Sequence, residues 1–200
     1  MALLNNEDSI YVAGSSGMVG NAICKVLNKN GFNEINKKLI KSNKKDLDLR
    51  DTEQVKKWFL KHKPKIVIIA AAKVGGILAN KNQPVNFLLD NLKIQNNLIE
   101  TSWKNNVKRL LFLGSSCIYP KFSKQPIKEE YLLSDTLEST NQWYAISKIA
   151  GLKLCQALRT QYNFDAISLM PTNLYGPKDN YNLNNSHVMA ALIRKFYEAK

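Results

Sequence analysis

Two hundred residues with 44% hydrophobic content suffice for one globular domain with a sizeable core, and they exclude a collagen-like, repetitive or disordered chain. The three cysteines, Cys24, Cys117 and Cys155, are odd in number and widely spaced, which argues against a disulfide framework or a zinc site and fits a reducing, cytoplasmic setting. The formal net charge of +13 comes from lysines spread along the whole chain, and the densest cluster, Lys37 to Lys45, has no interleaved aromatic; this reads as solvated surface rather than specific nucleic-acid binding, and equally as a field suited to a ligand with several phosphates.

Residues 1–8 show neither the basic nor the apolar region of a secretory signal, and no apolar run approaches the length of a membrane span. Residues 9–13 read as a strand and 18–30 as a helix ending before Gly31. Lys38-Leu39-Ile40 reads as a short strand. Asp51 to His62 reads as a helix, with Asp51 as N-cap, Val55, Trp58 and Phe59 on one face, and Pro64 as the stop. The unbroken apolar run from Ile66 to Ala71 suits a strand covered on both faces. A long helix is expected from about Pro84 to Asn105, a second buried strand from Arg109 to Gly114, a helix from Tyr144 to Tyr162 and a strand from Ala166 to Met170. Residues 186–200 look helical, with Ser186 as a candidate cap. That amphipathic pattern stops without a Gly, Asn or Pro, and only about six strands are accounted for, so the sequence is expected to be a piece of a longer protein. Strands alternating with helices imply an α/β fold, a doubly wound, mostly parallel sheet whose ligands bind at the carboxyl ends of the strands.

Gly14, Gly17 and Gly20, within Gly14-Ser15-Ser16-Gly17-Met18-Val19-Gly20, lie directly behind the first strand and open the first helix. One glycine permits an unusual φ, one lets a pyrophosphate approach the backbone, and the third lets the helix pack on the strand. The amides of a helix N-terminus then face the anion. The alternative is a glycine turn that merely packs the corner. After the second strand an acidic residue would favour NAD; Lys41-Ser42-Asn43-Lys44-Lys45 favours a 2′-phosphate and so NADP, unless the lysines are simply solvated. Asp48-Leu49 is a candidate for framing the adenine.

Tyr144 and Lys148 are four residues apart, on one face of a helix. An ammonium held close favours the phenolate and should lower the phenol from its ordinary value near 10. Ser115-Ser116 follows the strand ending at Gly114, where a hydroxyl can bond a reacting carbonyl oxygen. Tyr144 is therefore the candidate proton donor, Lys148 its tuner and a hold on the nicotinamide ribose, and Ser115 the group that orients the carbonyl. Cys117, two residues on, is either a packed structural thiol or a group that exchanges a proton with a substrate carbon. Of two histidines, His62 lies at a helix end and His187 is the candidate partner of Cys117 in acid/base work.

These segments, with Ala70-Ala71-Ala72-Lys73-Val74-Gly75-Gly76-Ile77, Gly114-Ser115-Ser116-Cys117-Ile118-Tyr119-Pro120-Lys121, Met170-Pro171-Thr172-Asn173-Leu174-Tyr175-Gly176-Pro177 and Asn185-Ser186-His187-Val188, resemble the extended short-chain dehydrogenase/reductase superfamily. More narrowly, the chain resembles its GDP-4-keto-6-deoxy-D-mannose epimerase/reductases. The resemblance implies C3 and C5 epimerisation by Cys117 and His187. Reduction at C4 by NADPH follows, with Tyr144 as proton donor. It implies that NADP is bound by residues 14–20, Lys44, Leu113, Gly114, Ser115, Ser116, Lys148, Pro171, Thr172, Asn173, Leu174 and His187. Ser16 stands where the family often has an arginine, and Lys195, two turns beyond His187, where it tends to have a substrate-binding one. The implied organisation is an NADP-binding Rossmann domain over 1–170, an incomplete substrate portion over 171–200, and a homodimer built on the helices at 84–105 and 144–162. The remaining alternatives are another sugar-nucleotide epimerase or dehydratase of the same superfamily and a catalytically silent dinucleotide-binding module.

Overall fold

The computed structural model describes residues 5, 7–182 and 186–200; Asn185 and most of the first six residues lie outside the described part. The elements run β1 (Ile10–Ala13), α1 (Met18–Lys29), β2 (Leu39–Lys41), α2 (Thr52–His62), β3 (Ile66–Ile69), α3 (Ile77–Asn82), α4 (Pro84–Lys104), β4 (Arg109–Leu113), α5 (Gln142–Tyr162), β5 (Ala166–Leu169) and α6 (Val188–Glu198). The five strands form one sheet in the order β2-β1-β3-β4-β5, every pair parallel. Among the described residues that is one strand fewer than the reading of about six. β1 has β2 on one side and β3 on the other, so the chain reverses its direction of travel across the sheet there; in sheets of this kind ligands bind above the carboxyl end of the strand at the reversal.

Local chemistry sets the helix ends. Asp51 caps α2, accepting a hydrogen bond from the Gln54 amide at 3.0 Å, while Lys63, at φ +46, turns the chain out ahead of Pro64. Pro84 takes the first position of α4, where a missing N–H costs nothing. α6 begins later than expected: its N-cap is His187 rather than Ser186, and neither side chain caps it.

The period-2 pattern of β1 divides the core. Tyr11 and Ala13 join Phe59, Val67, Ile69, Leu98, Leu110, Phe112, Ile149 and Leu152 on the face covered by α2, α4 and α5. Ile10 and Val12 join Cys24, Phe32, Leu39 and Ile66 on the face covered by α1. That second cluster stops at β3 among the described residues. In β4, within these 200 residues, Leu110 and Phe112 are buried and Leu111 and Leu113 half-buried. In β5, Leu169 is exposed. Among the described residues, no helix is long and apolar enough to cross a membrane.

Candidate active site

The glycine turn is built by contact as well as by conformation. Gly14 sits at φ +85, and a Cβ there would lie 2.7 Å from the Ala71 amide nitrogen, just after β3. A Cβ on Gly20 would fall 2.1 Å from the Gly14 carbonyl oxygen, so α1 packs directly on the turn that precedes it. Gly17, the N-cap of α1, is exposed; its nearest neighbour to a built Cβ is 3.5 Å away. The motif thus joins a tight backbone turn directly to the N-terminus of α1, a cradle that fits a pyrophosphate. The turn is pinned from β2: the Ser15 hydroxyl donates to the Ser42 carbonyl at 3.2 Å, and the Tyr11 and Ser42 hydroxyls are 2.7 Å apart. Met18 and Val19 are half-buried at the start of α1, and Ser16 is exposed at the rim.

The basic segment after β2 sorts itself. Lys41 is ion-paired with Glu34, and Ser42 is held by Tyr11. Lys44 is exposed. Asp48 is occupied by Arg50, which chelates it through Nε and Nη2; these bonds hold its carboxyl down at about 2.

The second half of the site gathers at the carboxyl end of β4. Lys148 projects from α5 toward the sheet and is 3% exposed; its ammonium donates to the Leu113 carbonyl at 2.7 Å and lies 4.8 Å from the centre of the Phe112 ring. Burial pushes this lysine down to about 8. Ser115 heads a short 3₁₀ turn, its hydroxyl accepting from the Cys117 amide at 3.3 Å. Tyr144 comes from the first turn of α5, on the same side as Ser115 and Cys117. Gly114 and Ser116 donate to the Leu169 and Pro171 carbonyls, so the loop after β5, carrying Pro171, Thr172, Asn173 and Leu174, is stitched to the serine loop.

One expectation fails here. The Tyr144 phenol is not lowered: burial pushes it well above its ordinary value, the nearby Cys117 adds to this, and the influence of the Ser115 hydroxyl only partly offsets them. The reason is geometric. The Lys148 ammonium sits 5.7 Å from the Tyr144 ring centre and is directed to a main-chain oxygen, so it does not reach the phenol oxygen as a partner.

Cys117 is half-buried and unbridged, and its sulfur accepts from Asn141 Nδ2 at 3.4 Å. His187 is exposed at the start of α6, and no hydrogen bond joins it to Cys117 among the described residues. It stands next to the loop after β3, because the Ser186 carbonyl rests against Gly76, 2.4 Å from where a Cβ would be. Lys195 is exposed on α6; its neighbour Arg194 donates to the Tyr181 carbonyl at 3.1 Å. His62 lies elsewhere, stacked on Trp58 at 4.0 Å, and burial lowers its basicity.

Three asparagines escaped the sequence reading. Asn91, 2% exposed, accepts from the Lys73 amide at 2.8 Å and donates to the Lys73 and Phe87 carbonyls at 3.0 and 2.7 Å, fixing the loop after β3. Asn80 donates to the Gly75 and Gly76 carbonyls. Asn141 meets Cys117. For Asn91 a signal existed: it sits one turn after Phe87 on the apolar stripe of α4, where a polar residue needs a partner.

Comparison with known proteins now decides the family. The model of the NAD dependent epimerase/dehydratase family matches residues 10–200. The chain belongs to this family. It is 56% identical over 200 residues to a GDP-L-fucose synthase of Sinorhizobium fredii, covering 100% of this chain and 62% of that protein. Among solved structures, a GDP-D-glycero-L-gluco-heptose synthase of Campylobacter jejuni, determined in the presence of NADPH, superposes with a TM-score of 0.92 at 40% identity, covering 98% of this chain and 56% of the other. A GDP-L-fucose synthetase of Naegleria fowleri bound to NADP superposes with a TM-score of 0.86 at 33% identity, covering 99% and 64%. The chain therefore spans roughly 60% of the length of the curated relatives it matches. The doubly wound parallel sheet expected from the sequence is the fold of this family's solved members.

Proposed function

We propose that this chain is the cofactor-binding and catalytic part of an NADPH-dependent epimerase/reductase that converts GDP-4-keto-6-deoxy-D-mannose to GDP-L-fucose. The observation that carries this reading is the convergence of Ser115, Cys117, Tyr144 and Lys148 at the end of β4. It stands in a chain 56% identical throughout to a protein of that name. In this reading residues 1–170 form the NADP domain and 171–200 begin the substrate portion. Exposed Val85 and Leu89 on α4, with Trp143 and Ile146 on α5, support a homodimer through those helices.

The residues divide the work by position. Gly14 to Gly20 hold the pyrophosphate on the α1 amides, and Lys44 meets the 2′-phosphate. Leu113 to Ser116, Lys148, Pro171 to Leu174 and His187 flank the nicotinamide end. When bound, NADPH supplies the hydride that reaches C4. A 4-keto group acidifies its neighbouring carbons, so Cys117 and His187 exchange protons at C3 and C5. Ser115 donates to the keto oxygen. Tyr144, kept protonated by burial, is charged with the proton that oxygen needs on reduction. Lys195 approaches the substrate's phosphates.

The reading is tested by NADPH oxidation dependent on GDP-4-keto-6-deoxymannose. Tyr144→Phe is expected to lower it by about 10²-fold or more, in line with loss of a general acid. Full reductase activity in that variant would overturn the assignment. Thermal stabilisation by NADPH but neither GDP nor the substrate would favour the silent module instead.

A further inference from the structure

We propose that Asn97 is a positioning residue for the adenosine half of the cofactor, fixing from α4 the segment that borders it; this rests on the cofactor reading above. The segment is residues 42–51, which leave the carboxyl end of β2, belong to no helix or strand, and enter α2 at Thr52. Its start is tied to the glycine turn, where the Ser15 hydroxyl donates to the Ser42 carbonyl and the Tyr11 and Ser42 hydroxyls meet. In a sheet of this kind the adenosine extends from the glycine turn toward the second strand, so this segment, with Lys44 and Asp48-Leu49, lies along it.

The far end of the segment is tied to α4 by Asn97. Its Nδ2 donates to the Leu49 carbonyl at 3.0 Å, and its Oδ1 accepts from the Thr52 hydroxyl at 2.9 Å. One side chain thus spans the end of the segment and the first residue of α2. A carbonyl can only accept, so Leu49 selects this setting of the amide; a hydroxyl can donate or accept, so the tie to Thr52 holds in either setting. Asn97 is 9% exposed and precedes the fully buried Leu98 and Ile99. A buried amide is costly unless it is paired, and both of its halves are paired here. The neighbouring link, Arg50 to Asp90 on α4 at 3.6 Å, is open to water and correspondingly weak. Without Asn97 the segment keeps its tie to the glycine turn but loses its buried tie to α4. The nicotinamide end, built on β4, α5 and the loop after β5, is carried by other elements.

The test separates the two ends of the cofactor and needs no sugar nucleotide. NADPH is titrated by its fluorescence and adenosine 2′,5′-bisphosphate by calorimetry, in the cold, on variants whose folding is checked by circular dichroism. Asn97→Ala is expected to weaken both ligands by the same factor, about fivefold to tenfold, the size of one to two neutral hydrogen bonds. The emission of the bound dihydronicotinamide at saturation should match wild type. Thr52 is exposed, so Thr52→Ala folds even if Asn97→Ala does not. Removing one of the two bonds, it should weaken both ligands about twofold to threefold, and adding it to Asn97→Ala should change nothing further. Wild-type affinity in Asn97→Ala would overturn the proposal. So would a loss for NADPH that the bisphosphate does not share, an altered emission at saturation, or losses that multiply in the double variant. A wild-type protein that binds neither ligand would overturn the cofactor reading itself, whereas one that binds both, with variants indistinguishable from it, would overturn only the role of Asn97.

Discussion

Replacing Lys148 by methionine should reverse its effect on stability between neutral and alkaline pH. The ammonium is 3% exposed, and burial lowers it from its ordinary 10.5 to about 8. Below pH 8 the lysine is protonated in both folded and unfolded chains, and the folded state bears the full cost of burying the charge. Between 8 and 10.5 the folded chain releases a proton that the unfolded chain keeps, so stability rises with pH across that window. At 1.36 kcal/mol per pH unit this amounts to about 3 kcal/mol. Methionine removes the charge but also the donor to the Leu113 carbonyl, a loss of about 1–2 kcal/mol. Lys148→Met should therefore be more stable than wild type by about 1–2 kcal/mol at pH 7, and less stable by a similar amount near pH 11. Urea unfolding followed by tryptophan fluorescence at several pH values measures the difference. Tyr11 and Tyr144, both raised by burial, destabilise the fold as unfolded phenols ionise above 10, but they do so in both proteins and cancel. Stability curves for the two chains that run parallel from pH 7 to 11 would refute the argument.

Two glycines of the same motif should behave differently. Gly20→Ala drives a methyl into the Gly14 carbonyl and is expected to cost about 1–3 kcal/mol, with cofactor binding weakened as the turn shifts. Gly17→Ala meets only an ordinary 3.5 Å contact, so the melting temperature should hold while stabilisation by NADPH is lost; unchanged NADPH stabilisation would argue that the cradle is elsewhere. Asn91→Ala leaves the Lys73 amide and carbonyl without partners, and a loss of about 2–3 kcal/mol should lower the melting temperature by roughly 5–10 °C. An unaffected Asn91→Ala melting curve would mean that water replaces the side chain there.

Much of the molecule was written in local pattern. The alternation of short β-branched runs with amphipathic segments specified the order of elements, since each pattern can bury its apolar face in only one type of structure. Asp51, Pro84 and the Gly14 to Gly20 turn marked boundaries because their chemistry acts within a few residues. Spacing also placed Tyr144 and Lys148 on one side of α5. Tertiary structure decided the rest. Which helix covers which face of the sheet is set by packing: α1 lies on β1 and β2, and α5 on β4 and β5, which no property of the strands' own residues reveals. The electrostatics of Tyr144 and Lys148 depend on burial and on which atom the ammonium reaches, here a carbonyl at the end of β4. Asn91 and Asn141 find partners 18 and 24 residues away. A side chain's role is legible in sequence when its partner is a neighbour along the chain. When the partner arrives only through packing, the fold has to form before the chemistry exists.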